Sequence, residues 1–217
     1  MNKLFRVLLA LYLVTSPILI VFLIYKTVFL TTKVFELQST LVSKDAIGTY
    51  PIEAIQTAFV PHIGPSEAPV KIFWYADVDC SACRQSFQDI LEICQTYPRE
   101  VVVFAKLLPS ENEFSMRTHR LLIHAWLEDR FVEVSALFFS DEIRDQPSTL
   151  SQWEKSLQFP TGPQSIHSLN QALFQNLSEF RGLGAFSTPT LIVNGSVWQG
   201  WDKARLLSEI QANLTSD

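Results

Sequence analysis

The sequence predicts an α/β fold with an inserted helical domain, preceded by an N-terminal transmembrane or signal helix. Three features predict it: an uncharged apolar start, two β-prone runs around a helical pattern, and a helical block before a final hairpin pattern. The 217 residues, 47% hydrophobic and 12% aromatic, suffice for one domain with a sizeable core. The net charge of −5, without any Lys/Arg block, argues against a nucleic-acid partner.

The first element is the apolar stretch VLLALYLVTSPILIVFLIY at residues 7–25. As a helix it is long enough to span a bilayer core of about 30 Å. The short basic tail before it favours a cytoplasmic N-terminus. We therefore expect residues 1–26 to anchor the chain in the inner membrane, with a stalk at 27–57 and the remainder outside the cytoplasm. A cleaved signal peptide stays open as an alternative, although no A-x-A site follows the stretch.

The folded domain is expected over residues 58–217. Its first strand is predicted at 70–76, VKIFWYA, which is apolar throughout, as in a buried central strand. A helix is expected from about 81 to 97, and VVVFAKLLP at 101–109 is a second buried strand, so the two strands should be parallel. One face of this helix carries its apolar side chains: Cys83, Phe87, Ile90, Leu91 and Cys94.

Residues 110–182 form the predicted helical insertion, because the block is too long for a loop and contains several helical patterns. A capping-box pattern from Ser151 to Glu154 predicts that a short third helix begins there, and a fourth is expected at 164–180. The chain then returns to a hairpin pattern, TLIVNGSVWQG, with its turn at Asn-Gly. An amphipathic helix at 202–213 completes the predicted fold.

Cys80 and Cys83 form a single Cys-x-x-Cys pair where the first strand meets the first helix. A helix N-terminus stabilises negative charge, so Cys80 is the expected attacking thiolate. Cys83 lies one turn further, on the apolar face, and is the expected resolving sulfur. A zinc site needs four ligands, usually as two pairs, so no metal and no cofactor are expected. Cys94 is expected to be a buried core residue, and none of the scattered histidines is assigned to catalysis.

This order of elements, with the cysteine pair after the first central strand, is similar to a thioredoxin-like fold with a helical insertion. Three segments resemble the DsbA-like branch of the thioredoxin superfamily, the extracytoplasmic thiol–disulfide oxidoreductases. They are GPSEAPVKIFWYADVDCSAC, LLIHAWLEDRFVEVSALFF and STPTLIVNG. The resemblance implies that Thr188 and Pro189 face Cys80, that Pro189 is cis, and that the backbone of Thr188 pairs with an extended substrate.

The residues between the cysteines depart from this family. Many family oxidases carry Pro-His there, whereas this chain carries Ser81-Ala82. Because the side chain of Ala82, unlike that of histidine, cannot donate a hydrogen bond to the Cys80 thiolate, we expect a milder oxidant than the Pro-His members.

Further departures concern charged residues near the pair. The buried acid that several thioredoxin-like enzymes place six residues before the nucleophile is replaced by Trp74. Asp77 and Asp79 would raise the pKa of Cys80 if their carboxylates pointed at it. Lys106 is expected to be a snorkelling lysine at a strand end, with a partly buried partner of the site as the alternative.

The sequence therefore predicts an extracytoplasmic enzyme that introduces disulfides into unfolded or reduced secreted or envelope proteins through a Cys80–Cys83 redox disulfide. The resemblance implies reoxidation by a DsbB-type membrane partner. Two other interpretations stay open. One is a disulfide reductase or isomerase of the same fold, which a milder potential suits. The other is a membrane-anchored chaperone or binding module in which the cysteines form a structural staple.

Overall fold

A computed structural model describes residues 25–26, 48–51, 53, 55, 59–140 and 147–215. The chain divides into two compact units, Met1–Ser43 and Lys44–Asp217; in the first, only the helical, exposed Tyr25 and Lys26 are described. Most of the predicted anchor and stalk thus lies outside the described residues. Within the ranges given, no helix is both long and apolar enough to cross a bilayer.

The second unit is built around one mixed sheet. Its described strands are β1 Gly48–Thr49, β2 His62–Ile63, β3 Val70–Ala76, β4 Val101–Leu107, β5 Thr190–Val193 and β6 Ser196–Gln199. The spatial order is β1-β6-β5-β3-β4-β2. β3 and β4 are parallel, as predicted for a β-α-β unit, and the other pairs are antiparallel. The apolar β3 is central and pairs on both sides, so its backbone polar groups are satisfied within the sheet.

Six helices are described: α1 Ser81–Thr96, α2 Glu113–Leu127, α3 Phe131–Phe138, α4 Pro147–Ser156, α5 Pro163–Gly182 and α6 Lys203–Leu214. Four of them, α2 to α5, lie between β4 and β5 in the stretch that the sequence predicted to be helical. The predicted α/β fold is therefore confirmed. The β5–β6 turn is also as predicted, because Asn194 and Gly195 both have positive φ, 44° and 96°, as a type I′ turn requires.

Two local predictions were wrong. Ser151 does not begin a helix, because α4 already begins at Pro147. Proline is favoured in the first turn of a helix, where its missing N–H costs nothing, and this start signal outweighs the capping-box pattern. On α1, Leu91 is only half-buried and Ile93 is fully buried instead, since the helix turns a slightly different stripe towards the sheet.

The two faces of the sheet carry separate parts of the core. Alternation along β3 sends Ile72 and Trp74 to the first face, where α1 and α6 pack, and Phe73 and Tyr75 to the second. On the first face the Trp74 indole stacks near Phe87 of α1, and its Nε1 donates to Ser86 Oγ at 3.0 Å. The first helix is thereby fixed to the central strand next to the cysteine pair.

Lys106 of β4 corrects the expectation of a snorkelling lysine. Its side chain is completely buried, and its Nζ lies 2.7 Å from Glu179 Oε2 of α5. Tyr75 donates to the same carboxylate oxygen at 3.4 Å. Because the neighbouring Ala105 and Leu107 belong to the first face, Lys106 lies on the second face, away from Cys83. It is therefore an ion-pair partner of α5 and not of the cysteines, and burial lowers its pKa.

Replacing one member of this pair tests its role in stability. Lys106→Met removes the ammonium that lies 2.7 Å from the buried Glu179 carboxylate, so the free energy of unfolding should fall by about 3 kcal/mol. The double variant Lys106→Met/Glu179→Gln also removes the carboxylate charge and keeps an acceptor for Tyr75, so it should recover much of the loss. Denaturant unfolding measures both, and a single variant as stable as the unsubstituted protein would contradict a structural role for the pair.

Candidate active site

Cys80 occupies the N-cap position of α1. Its backbone is extended, with φ −84° and ψ 118°, and its Sγ accepts the backbone N–H of Cys83 at 3.2 Å. The sulfur thus takes the place that serine or aspartate oxygens commonly take at helix starts. No acidic residue lies in the first turn of α1, so nothing there opposes a negative sulfur.

The loop before β5 forms the opposite wall of the site. The Thr188–Pro189 peptide bond is cis, and the Thr188 carbonyl oxygen accepts a hydrogen bond from Cys80 Sγ at 3.3 Å. Residues 108 positions apart in the sequence therefore meet at one sulfur. Pro189 has no backbone N–H, so its nitrogen brings no hydrogen-bond donor near the sulfur.

The surroundings of Cys80 lower its pKa to about 6. The largest cause is a hydrogen bond from the Cys83 side chain, which favours the thiolate. Partial burial opposes it. The Thr188 side chain and the backbone N–H groups of Cys83 and Ala82 add further stabilisation of the negative sulfur. A pKa of about 6 favours the Cys80 thiolate at neutral pH, and the hydrogen bond donated to the Thr188 carbonyl belongs to the protonated form. The sulfur is half-exposed to an approaching reactant.

Cys83 has the opposite environment. It is fully buried on the first face of the sheet, and burial, followed by its hydrogen bond to Cys80, raises its pKa. Cys94 is also buried, which raises its pKa to about 12. All three cysteines are free thiols in this structure. The Cys80–Cys83 pair is thus asymmetric, with one acidic accessible sulfur and one shielded protonated sulfur.

Asp77 and Asp79 do not point at Cys80. The Asp79 carboxylate accepts from Ser110 Oγ at 2.6 Å and from Asn112 Nδ2 at 3.1 Å. Asp77 Oδ1 accepts from the backbone N–H of Asp79 and lies 3.5 Å from His119 Nε2 of α2. Both carboxylates are directed towards the start of α2, so the possibility that they raise the pKa of Cys80 is not realised.

His119 was not singled out from the sequence, yet it supports the loop before Cys80. Its ring is fully buried; Nδ1 lies 2.7 Å from the Ser115 carbonyl and therefore donates, while Nε2 accepts from the Val78 N–H at 3.4 Å. Burial lowers its pKa and raises that of Asp77. The i, i+4 spacing of Ser115 and His119 on α2 was the sequence signal that could have identified this support.

Gln199, at the end of β6, is a second residue that the sequence analysis missed. Its Oε1 accepts three hydrogen bonds from the 186–189 loop: Phe186 N at 2.9 Å, Ser187 N at 3.0 Å and Ser187 Oγ at 3.1 Å. The buried Thr190 hydroxyl donates to the Ser187 carbonyl at 2.7 Å. Side chains from β5 and β6 thus hold the segment that contacts Cys80. Thr190 and Gln199 lie opposite each other where β5 pairs with β6, and the sequence alone does not show this register.

The two residues between the cysteines lie at the mouth of the site. Ser81 is exposed and Ala82 is half-buried. A cavity of about 280 Å³ adjoins Ser81 and is lined by Ser81, Arg84, Gln85, Gln88, Phe139 and Ser140. Over the described ranges, no cluster of three or more His, Cys, Asp or Glu side chains could hold a metal ion.

The fold and this site together define a class of protein. In this class a mixed α/β sheet places a Cys-x-x-Cys at a helix N-terminus, opposite a cis-proline. A family model described as Thioredoxin matches residues 57–212, and the chain belongs to that family. No curated protein matches the sequence.

Several solved structures share the fold. Proteus mirabilis ScsC in a compact conformation is 20% identical with a TM-score of 0.65, and the match covers 99% of each chain. The thiol-disulfide exchange protein α-DsbA2 from Wolbachia pipientis is 15% identical with a TM-score of 0.59, covering 70% of this chain and 86% of the other. Oxidised BdbD from Bacillus subtilis is 20% identical with a TM-score of 0.60, covering 79% and 99%. The predicted membership of the thioredoxin superfamily is confirmed by the family model, and the structural neighbours share its fold.

The ionisation of Cys80 can be titrated directly. Alkylation of the reduced protein by iodoacetamide should rise with pH to half its maximum near pH 6, because only the thiolate reacts. Cys83→Ala removes the largest stabilising hydrogen bond, so the midpoint should move towards the value of about 8.5 for a free thiol. The thiolate stabilises the reduced fold above about pH 8.5, and this contribution is lost as the pH falls through 6. A midpoint near 8.5 in the unsubstituted protein would contradict the N-cap role of Cys80.

Proposed function

We propose that this protein is an extracytoplasmic thiol–disulfide oxidoreductase that introduces disulfides into other proteins. The observation that carries the proposal is the low-pKa sulfur of Cys80 at a helix N-terminus, 3.3 Å from the Thr188 carbonyl of the cis-proline loop. Membership of the thioredoxin family supports the same class of reaction. A structural staple, as in a chaperone or binding module, has no need of a half-exposed sulfur whose pKa is lowered.

The proposed reaction begins with a Cys80–Cys83 disulfide. A substrate thiolate attacks Cys80 Sγ and forms a mixed disulfide, while Cys83 leaves and takes up a proton, as its raised pKa favours. The second substrate thiolate then attacks the substrate sulfur of the mixed disulfide and releases Cys80 as a thiolate. The substrate loses two electrons and gains a disulfide, and the enzyme becomes a dithiol. A low-pKa sulfur is a good leaving group, which speeds the second step.

Substrate binding is proposed to use the backbone of Thr188 next to cis-Pro189. An extended polypeptide can pair with a free backbone edge by adding a strand, so recognition need not depend on a fixed sequence. This suits unfolded or reduced secreted and envelope proteins as substrates. The reduced enzyme then requires an oxidant, for which we propose a DsbB-type membrane partner.

The strength of the oxidant is proposed to be intermediate. The nucleophilic cysteine of thioredoxin has a pKa of about 7 and that of DsbA about 3.5, and a lower pKa accompanies a more oxidising disulfide. The value of about 6 for Cys80 lies between them. Ala82 supplies only its backbone N–H to the thiolate, and the nearby carboxylates are directed towards α2, so neither extreme is expected. The same value supports a second candidate, a disulfide reductase or isomerase with the same residues.

For the whole chain we propose an anchor or signal at residues 1–26, followed by a stalk and a catalytic domain with its helical insertion at 110–182. Because β1 at Gly48–Thr49 pairs with β6, we propose that the stalk expected at 27–57 is shorter and that the domain begins before residue 58. The site then faces the oxidising side of the inner membrane, where disulfides persist. Alkaline extraction of membranes distinguishes the two forms of the N-terminus, since an uncleaved anchor keeps the protein in the pellet and a cleaved signal releases it.

The two cysteines should fail differently when replaced. Cys80→Ser should abolish oxidation of a dithiol peptide, because no sulfur remains for the first attack. Cys83→Ser should instead accumulate a mixed disulfide between Cys80 and an oxidised peptide, visible by mass spectrometry, because no resolving thiol remains. Cys94→Ser is the matched control and should retain activity. Exchange by the Cys80 variant at the unsubstituted rate would refute the assignment.

The reduction potential should lie between those of thioredoxin, about −270 mV, and DsbA, about −120 mV. Equilibration with glutathione buffers measures it. Ala82→His adds a side chain that can donate to the thiolate; a pKa lower by one unit should make the potential about 30 mV more oxidising. Ser81→Ala, which leaves that contact unchanged, is the control. A potential at or above −120 mV in the unsubstituted protein contradicts the intermediate strength.

A further inference from the structure

The 186–189 loop is held at several points, and most of them converge on Gln199. One oxygen, Oε1 of Gln199, accepts all three hydrogen bonds from Phe186 and Ser187. All three loop groups are donors, so the side chain at position 199 must supply an acceptor. The amide N–H₂ of Gln199 takes no part in these three contacts. The same loop is tied at its other end by Gly200 N–H, which donates to the Pro189 carbonyl at 2.7 Å.

The held segment presents a large apolar side chain. Phe186 is 58% exposed, although its backbone N–H is fixed by Gln199. Only Ser187 separates it from Thr188, so the two Cα atoms are at most about 7 Å apart. Thr188 in turn contacts Cys80 Sγ. An exposed aromatic ring is thus displayed on a fixed backbone close to the sulfur that reacts.

We propose that Phe186 and Gln199 set how the 186–189 loop receives a polypeptide substrate, giving a preference for an apolar side chain near the reacting cysteine. Phe186 is its specificity-determining residue and Gln199 is its positioning residue. The inference rests on the proposed thiol–disulfide exchange and adds to it a substrate preference and a residue outside the Cys-x-x-Cys and cis-proline motifs. Gln199 acts through the loop and does not touch the sulfur.

The physical basis is preorganisation. A peptide that pairs with Thr188 must have its sulfur placed in line with Cys80, and small misplacements of reacting atoms reduce rates strongly. Fixing the loop in advance removes the entropy cost of ordering it during binding. A small thiol that reaches Cys80 without pairing to the loop gains nothing from this fixation. Loss of Gln199 should therefore affect peptide and small-thiol reactions unequally.

The test replaces only the acceptor. Gln199→Met keeps the length of the side chain but cannot accept the three hydrogen bonds, whereas Gln199→Glu retains Oε1 as an acceptor. For the methionine variant, kcat/KM for oxidation of a two-cysteine peptide should fall about tenfold, mainly through KM. Its reaction with dithiothreitol should stay within about twofold, since that dithiol does not pair with the loop. The glutamate variant should recover most of the peptide activity.

Gln211→Met, on the exposed face of α6, is the matched control and should behave like the unsubstituted protein. Unchanged peptide kinetics in Gln199→Met would overturn the inference. Equal losses with the peptide and with dithiothreitol would also overturn it, because they indicate general structural damage. If the unsubstituted protein exchanges with neither reactant, the proposed function itself fails, which is a different result from the failure of Gln199 alone.

The aromatic ring has its own test. Two peptides that differ only in Leu or Ser, two residues from the reacting cysteine, should differ about fivefold in KM in favour of Leu. Phe186→Ser should abolish this preference and leave the reaction with dithiothreitol unchanged. A preference for Leu that survives in the Phe186 variant would overturn the specificity role of the ring.

Discussion

The structure around the site depends on one interaction: the Cys80 sulfur caps the first helix by accepting the Cys83 N–H. This contact requires β3 to end and α1 to begin within a few residues. It also requires the apolar face of α1 to place Cys83 against the sheet. The unpaired N–H groups of the helix start then favour a negative sulfur. The geometry at the start of the helix therefore gives two identical side chains different pKa values, lowered for Cys80 and raised for Cys83.

The helical segment between β4 and β5 contributes to the site through charge. Asp77 and Asp79 lie within three residues of Cys80 and would disfavour its thiolate if they faced it. Ser110 and Asn112 satisfy one carboxylate, and Ser115 and His119 lie against the other. The residues at the start of α2 thus hold two carboxylates that the sequence places beside the nucleophile. In this way the inserted segment fixes the orientation of acidic side chains next to the site.

Local patterns were enough to predict much of this arrangement. Continuous apolar runs indicated β3 and β4, the helical stripe indicated α1, and Asn-Gly indicated the final hairpin. What could not be predicted rests on partners distant in the sequence. Lys106 meets Glu179 across 73 residues, and Asp79 meets Asn112 across 33, so neither residue's role is visible in its own strand or loop. Gln199 was missed because a polar residue at a strand end is unremarkable until the strand register places it beside the 186–189 loop.

The buried pair of Lys106 and Glu179 has a consequence for how the chain can vary in length. Glu179 fixes the end of α5 to the second face of the sheet, and Phe180 packs against Tyr75 directly after it. Eight residues after Phe180 the Thr188 carbonyl contacts Cys80, and two residues later the chain enters β5. The connection from Glu179 to Thr190 is therefore fixed at both ends, by the ion pair with Lys106 at one end and by strand β5 at the other. A deleted residue there would pull on the ion pair or on the Thr188 carbonyl, whereas an inserted residue would have to bulge from the irregular stretch at 183–189.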